Sequence, residues 1–254
     1  MMRVRLVVEY DGSDFAGWQV QPGRRTVQGT LEAAIARLVK SERRIVVAGA
    51  GRTDAGVHAE GMVCAFDPPR VLPLTAFVHG LNALLPEDLA VRSAELAPPD
   101  FDPRRDARGK TYRYRLWNHP VRSPLRARRC WHVRGPLDLA AMREAAAHLR
   151  GTHDFSAFRA QGCEAKTTVR TLRAVEVRGS GPELEIEVEG TAFLRFMVRS
   201  IAGTLVDVGQ GRIDPARIPE ILASGDRAQA GRTAPAHGLT LVAVYYGDRT
   251  KAHG

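Results

Sequence analysis

Long apolar runs are missing from this chain of 254 residues: no stretch approaches 18 uninterrupted apolar residues, so the sequence offers no membrane-spanning helix. The opening MMRVRLVVEYDG is broken by Arg5 and Glu9 and is too short for a signal segment, so a soluble, cytoplasmic protein is expected. Cysteine is also scarce. Cys64, Cys130 and Cys163 are far apart, form no C-x-x-C pair and have no histidine at zinc-ligand spacing, which argues against both a disulfide framework and a metal site. Acidic residues run short in one region. Between Arg104 and Arg129 nine arginines and Lys110 stand against a single acid, Asp106. The whole chain carries 37 basic and 28 acidic residues, a formal charge of +9, which points to a polyanionic partner. Aromatics interleave with the basic stretch, a composition suited to neutralising phosphates and stacking bases. A solvated surface rich in arginine is the plainer alternative.

The length suffices for one large domain or two small ones. Apolar alternation predicts strands over 3–10, 44–50, 62–67 and 89–96, and a 3.6-residue period predicts helices over 27–40 and 74–84. After the turn-rich stretch APPDFDP (97–103) the same order recurs, with strands over 110–117, 172–177, 184–188 and 239–246 and helices over 137–149 and 193–208. Each half therefore fits the split βαβ plan. The expectation is an α+β protein of two ferredoxin-like, RRM-like halves, 1–98 and 104–254, with antiparallel sheets side by side and a catalytic cleft between them.

The halves differ at one connection. In the second, the central hairpin turns through GSGP; in the first, the same place holds AGAGRTDAGVHAEG (48–61). A tight turn needs only glycine and proline. The glycine spacing does not match a dinucleotide or P-loop fingerprint, and Asp54 with His58 makes a poor metal site. A structural reading stays open, in which Asp54 caps a turn and Arg52 neutralises it.

The run GRTDAGVHA, with YDGSDFAGWQVQ near the start, closely resembles the TruA-type tRNA pseudouridine synthases. TVQGTLEAAI, LNALLP, KTYRY, DFSAFRA, FLRFMVRSIAG and GLTLVAVYY extend the resemblance over nearly the whole chain. It implies conversion of uridines 38, 39 and 40 of the tRNA anticodon stem-loop to pseudouridine by a homodimer without cofactor or metal. It further implies that Asp54 is the catalytic aspartate, that Arg52 touches the RNA, that Tyr112 stacks on the target base and that Arg199 pairs with Asp54. RNA docking would fall to Phe101, Asp102, Pro103, Arg104 and Arg105 and to Gly162, Cys163, Glu164, Ala165 and Lys166. At the first of these stretches the chain reads FDPRRDA where the family tends to have F-x-A-R-x-S-A, which puts the local backbone path in question.

The chemistry asks for these residue types. Isomerisation breaks the N1 glycosidic bond, turns the uracil in place and joins C5 to the sugar. An ionised carboxylate is required, either to attack a carbon or to remove the C2′ proton. A neighbouring arginine favours the ionised form. A base within a stem must also be extruded and held, a task for an aromatic side chain. Two rivals come from other classes: a non-catalytic tandem RNA-binding module, and a metal-dependent hydrolase using Asp54 and His58. His58 itself reads as a loop hydrogen-bonder.

Overall fold

The computed structural model describes residues 2–162 and 165–247. The chain forms two units, Met1–Arg108 with Leu241–Gly254, and Gly109–Thr240. The first unit begins with β1 (Arg3–Tyr10), whose Val4, Leu6, Val8 and Tyr10 point inward as the alternation predicts. Helix α1 (Val27–Leu38) follows. Thr26 caps it by accepting from the Gly29 amide at 3.3 Å, and it buries Val27, Leu31, Ala34 and Ile35. Next come β2 (Ala48–Gly49), β3 (His58–Phe66) and β4 (Leu89–Ala97).

The strand expected over 44–50 shrinks to the two residues of β2, for a reason that lies in α1. The Glu32 carboxylate accepts from the Val47 amide and Gln28 Nε2 donates to the Val47 carbonyl, both at 3.1 Å. These side chains take the groups that a longer ladder would have used. The helix expected over 74–84 carries a π-helical turn at Ala76–Gly80, with Phe77 buried edge-on against Phe66.

The second unit opens with β5 (Gly109–Asn118), β6 (Trp131–Val133), α2 (Leu139–His148) and β7 (Gly151–Asp154). It continues with β8 (Val169–Arg178), β9 (Glu183–Gly190), α3 (Met197–Gly209) and α4 (Ile218–Ser224). Strands β6 and β7 and helix α4 had no counterpart in the sequence pattern, being too short to show a period. The last strand, β10 (Leu239–Tyr245), carries the chain back into the first unit from Leu241 onward.

In the first unit β1 lies between β4 and β3, antiparallel to both, and β3 also pairs with β2 and β10. In the second, β9 lies antiparallel between β5 and β8, β7 adds an edge, and α2 packs on α3 and β8. This is the split βαβ pattern in each unit, and the protein is α+β with ferredoxin-like halves. The turn-rich stretch 97–103 is packed rather than extended as a connector. Phe101 is buried 5.2 Å from the Tyr246 ring, and the Arg5 guanidinium lies over both rings.

Candidate active site

Two segments that the resemblance paired in sequence are bound together in the first unit. Residues 10–18 line the loop that carries Asp54. Trp18 N donates to Thr53 O at 3.0 Å, Gly56 N to Phe15 O at 3.3 Å and Gly12 N to His58 Nδ1 at 3.1 Å. The Tyr10 and Thr53 hydroxyls share a buried hydrogen bond of 2.8 Å. Two glycines make the approach possible. A Cβ on Gly12 would overlap the Val57 carbonyl, and one on Gly17, whose φ is +93°, would sit 2.6 Å from Thr53 O.

The result is a loop with one residue turned in and its neighbours turned out. Thr53 is 6% exposed, while Arg52 is exposed and Asp54 half-buried. The Val57 amide donates to Asp54 O at 3.1 Å and closes the turn. His58 is buried, and because its Nδ1 accepts from the Gly12 amide the ring proton belongs on Nε2. Asp11 Oδ1 also lies 3.2 Å from that nitrogen, but it accepts from Ser13 N at 3.0 Å. With its lone pair given to an amide, Nδ1 cannot donate to Asp11, so this contact is not an ion pair. His58 is thus a loop hydrogen-bonder. Among the described residues no group of three or more His, Cys, Asp and Glu is placed to hold a metal ion.

In the second unit, Tyr112 lies on β5 with its ring edge-on to Phe193 at 5.0 Å, and about nine-tenths of it is covered. Tyr114, two residues on, is fully buried and donates to Pro235 O at 2.7 Å; burial pushes its phenol up. Arg199, in the first turn of α3, is half-buried. Its Nε donates to Ala234 O at 2.8 Å and its guanidinium lies over the Phe196 ring at 4.5 Å. Phe196 has φ of +64°, a left-handed conformation uncommon outside glycine.

The FDPRRDA stretch is an ordered turn. Asp102 Oδ1 accepts from the amides of Arg104 and Arg105, both at 2.8 Å, and Asp106 Oδ2 accepts from Asp102 N at 2.8 Å. Asp106 therefore does with a carboxylate what a serine hydroxyl could do, which accounts for that departure. Both carboxyls lie below the usual carboxylate range: the Arg105 amide comes first for Asp102 and the Asp102 amide for Asp106. Pro103 is buried and its carbonyl accepts from the Tyr246 hydroxyl at 2.7 Å, so Arg104 and Arg105 are the outward side chains here. Of the other stretch, Gly162 and Lys166 are exposed and Ala165 half-buried; Cys163 and Glu164 lie outside the described residues.

Sequence reasoning overlooked Tyr10, Gly12 and Gly17 as builders of the loop, although all three fall within YDGSDFAGWQVQ. It also overlooked that Arg113 and Arg115 on β5 face acids on β9. Arg113 lies 3.4 Å from both Glu185 and Glu187, and Arg115 3.2 Å from Glu185.

A family model described as tRNA pseudouridine synthase matches residues 6–104 and 145–247. The "tRNA pseudouridine synthase A" of Myxococcus xanthus is 55% identical over 249 residues, covering 98% of this chain and 93% of the relative. Proteins of the same name from Geotalea uraniireducens and Geobacter sulfurreducens are 52% and 51% identical, each over 97% of this chain and the whole of the relative. Since both domain-sized blocks and near-complete relatives agree, the chain belongs to the tRNA pseudouridine synthase family, isomerases that convert uridine to pseudouridine in tRNA.

Proposed function

We propose that this protein converts uridines 38, 39 and 40 of the tRNA anticodon stem-loop to pseudouridine, with Asp54 as the catalytic carboxylate. The observation that carries this is the loop itself. Backbone hydrogen bonds, a buried Thr53 and two glycines with no room for a side chain hold residues 52–54 so that the carboxylate is half-buried rather than free in solvent. A carboxylate held in a set place is what proximity catalysis needs. As Asp54 attacks C1′ or takes the C2′ proton, the N1–C1′ bond breaks and the uracil turns. The C5–C1′ bond then forms as the Asp54–C1′ bond breaks or the C2′ proton is returned, the C5 hydrogen leaves as a proton and N1 takes one up from solvent. The resemblance assigns Arg199 to Asp54, whose ionised form a guanidinium favours, and assigns Arg52 to the RNA. Tyr112 stacks on the target base. Its edge-on partner Phe193 restrains the ring, which supports that role.

Phosphate contacts are assigned to Arg104, Arg105 and Lys166, whose side chains are exposed. Phe101, Asp102 and Pro103 then serve as the scaffold of that turn. On the strength of the resemblance, the protein acts as a cytoplasmic homodimer without cofactor or metal.

Tritium release from tRNA labelled at uridine C5 tests the reaction, because a new bond at C5 expels that hydrogen and binding does not. Wild type is expected to release tritium and Asp54→Asn none, with tRNA affinity kept within a few fold. Release by Asp54→Asn would overturn the role of Asp54. Failure of wild type on unmodified tRNA that it binds would favour a non-catalytic binding module.

A further inference from the structure

Between α4 and β10 the chain reads Gly231-Arg232-Thr233-Ala234-Pro235, and it lies fastened along one side of α3. The fastening points are Arg199, Gly203, Thr204 and Asp207, spaced so that they share a helix face. Thr204 Oγ1 accepts from the Gly231 amide at 2.9 Å. The Asp207 carboxylate accepts from the Arg232 amide at 3.2 Å and from its guanidinium at 3.0 and 2.8 Å. It also accepts from Arg212 Nη1 at 2.9 Å. Gly203 has no room for a side chain, since a Cβ would overlap the Arg232 carbonyl. Ala234 N donates to Arg199 O at 3.0 Å, and Arg199 Nε donates back to Ala234 O at 2.8 Å. At the far end the strap is held by the Tyr114 hydroxyl on Pro235 O.

Asp207 is the centre of this arrangement. Its side chain is 8% exposed, so it is costly to bury and is matched by two guanidiniums and an amide. The strap it ties down presents the Ala234 carbonyl to Arg199. An arginine side chain has many rotamers, and a charge must be delivered to one place to help a reaction. Here the Ala234 carbonyl takes Nε while the Phe196 ring lies against the guanidinium plane, and together they set the direction of Nη1 and Nη2.

We propose that the Gly231–Pro235 strap is the device that aims the Arg199 guanidinium, and that Asp207 is a positioning residue for the isomerisation through it. This rests on the role assigned to Arg199 above. The test is steady-state kinetics on unmodified tRNA for Asp207→Asn, Asp207→Glu, Arg199→Ala, Arg199→Lys and the double variant Asp207→Asn with Arg199→Lys, at a temperature where circular dichroism shows each one folded. Asp207→Asn is expected to lower kcat at least about tenfold with KM within about threefold, and Asp207→Glu to recover most of the loss. The double variant should be no worse than the poorer single one, because both act through one guanidinium.

Should Asp207→Asn fail to fold, Arg232→Lys serves instead. It keeps the charge of an exposed side chain, loses the two-point grip on the carboxylate, and is expected to lower kcat in the same way. A kcat within about twofold of wild type for the folded Asp207 or Arg232 variant, alongside a large loss for Arg199→Ala, would overturn the strap proposal and leave the role of Arg199 standing. A near-normal kcat for Arg199→Ala would overturn that role and the strap proposal with it. Additive losses in the double variant would show that Asp207 does not act through Arg199.

Discussion

Thr53 illustrates what one side chain decides at the candidate site. Flanked by an exposed arginine and the half-buried Asp54, it turns inward to the Tyr10 hydroxyl, and its own carbonyl accepts from Trp18. Thr53→Val keeps the shape but leaves the Tyr10 hydroxyl buried without that partner, so a loss of about 1–3 kcal/mol is expected in urea unfolding. An unchanged midpoint would show that the bond does not hold the loop. At Tyr112 the ring rather than the hydroxyl is assigned the stacking role, so Tyr112→Phe should keep kcat within a few fold. Tyr112→Ala should lower it roughly 5- to 150-fold, the equivalent of stacking worth about 1–3 kcal/mol. Equal losses in the two variants would move the role to the hydroxyl.

At the scale of elements, polar side chains rather than apolar faces decide several boundaries. Glu32 and Gln28 on α1 end the second strand early by claiming the Val47 amide and carbonyl, and Glu32 also pairs with Arg44 at 2.7 Å. Helix α3 uses Asp207 in the same manner for the strap. Burial pushes the Asp207 carboxyl up, but the hydrogen bonds from Arg232 and Arg212 outweigh it, and the group lies below the usual 3.8. A depressed folded value means that the unfolded chain takes up the proton first. The stabilisation is therefore complete above the ordinary aspartate range and is lost as pH falls through the folded value. The difference in unfolding free energy between wild type and Asp207→Asn should be largest near neutral pH and shrink as pH drops below about 4. A difference independent of pH would show that the carboxylate charge is not what ties the strap.

For the molecule as a whole, the net charge of +9 overstates the cation available in the basic stretch from Arg104 to Arg129. Of the nine arginines between Arg104 and Arg129, Arg105 pairs with Asp106, Arg113 and Arg115 with the acids of β9, and Arg126 with Glu183. The exposed pairs, Arg105–Asp106 and Arg126–Glu183, are weak and can be exchanged for phosphate, whereas Arg113 and Arg115 are half-buried against their acids. Binding to tRNA should still weaken with salt, at least about tenfold between roughly 50 and 200 mM, as release of counterions from several phosphates requires. Replacing Glu185 and Glu187 by glutamine should raise the affinity and steepen the salt slope if Arg113 and Arg115 reach RNA. An unchanged slope would assign those arginines to the sheet alone.

Most of the larger elements were legible in the sequence, because apolar period is written locally: β1 spans the residues that alternation marked, and α1, β5, β8, β9 and α3 fall near theirs. Asp54 stood out for the same reason, as a charge among glycines where a short turn would have sufficed. The short pieces β6, β7 and α4 were not legible, since three to seven residues carry too little period. What only the tertiary structure decided are the relations between residues far apart in the chain. It grouped the residues from Leu241 onward with the first unit, laid residues 10–18 against the Asp54 loop, and strapped Gly231–Pro235 onto α3. It also matched arginines on one strand to acids on the next. Such pairings depend on which hydrogen bonds and charges are left to satisfy once the core has closed, and no local pattern of residues encodes that.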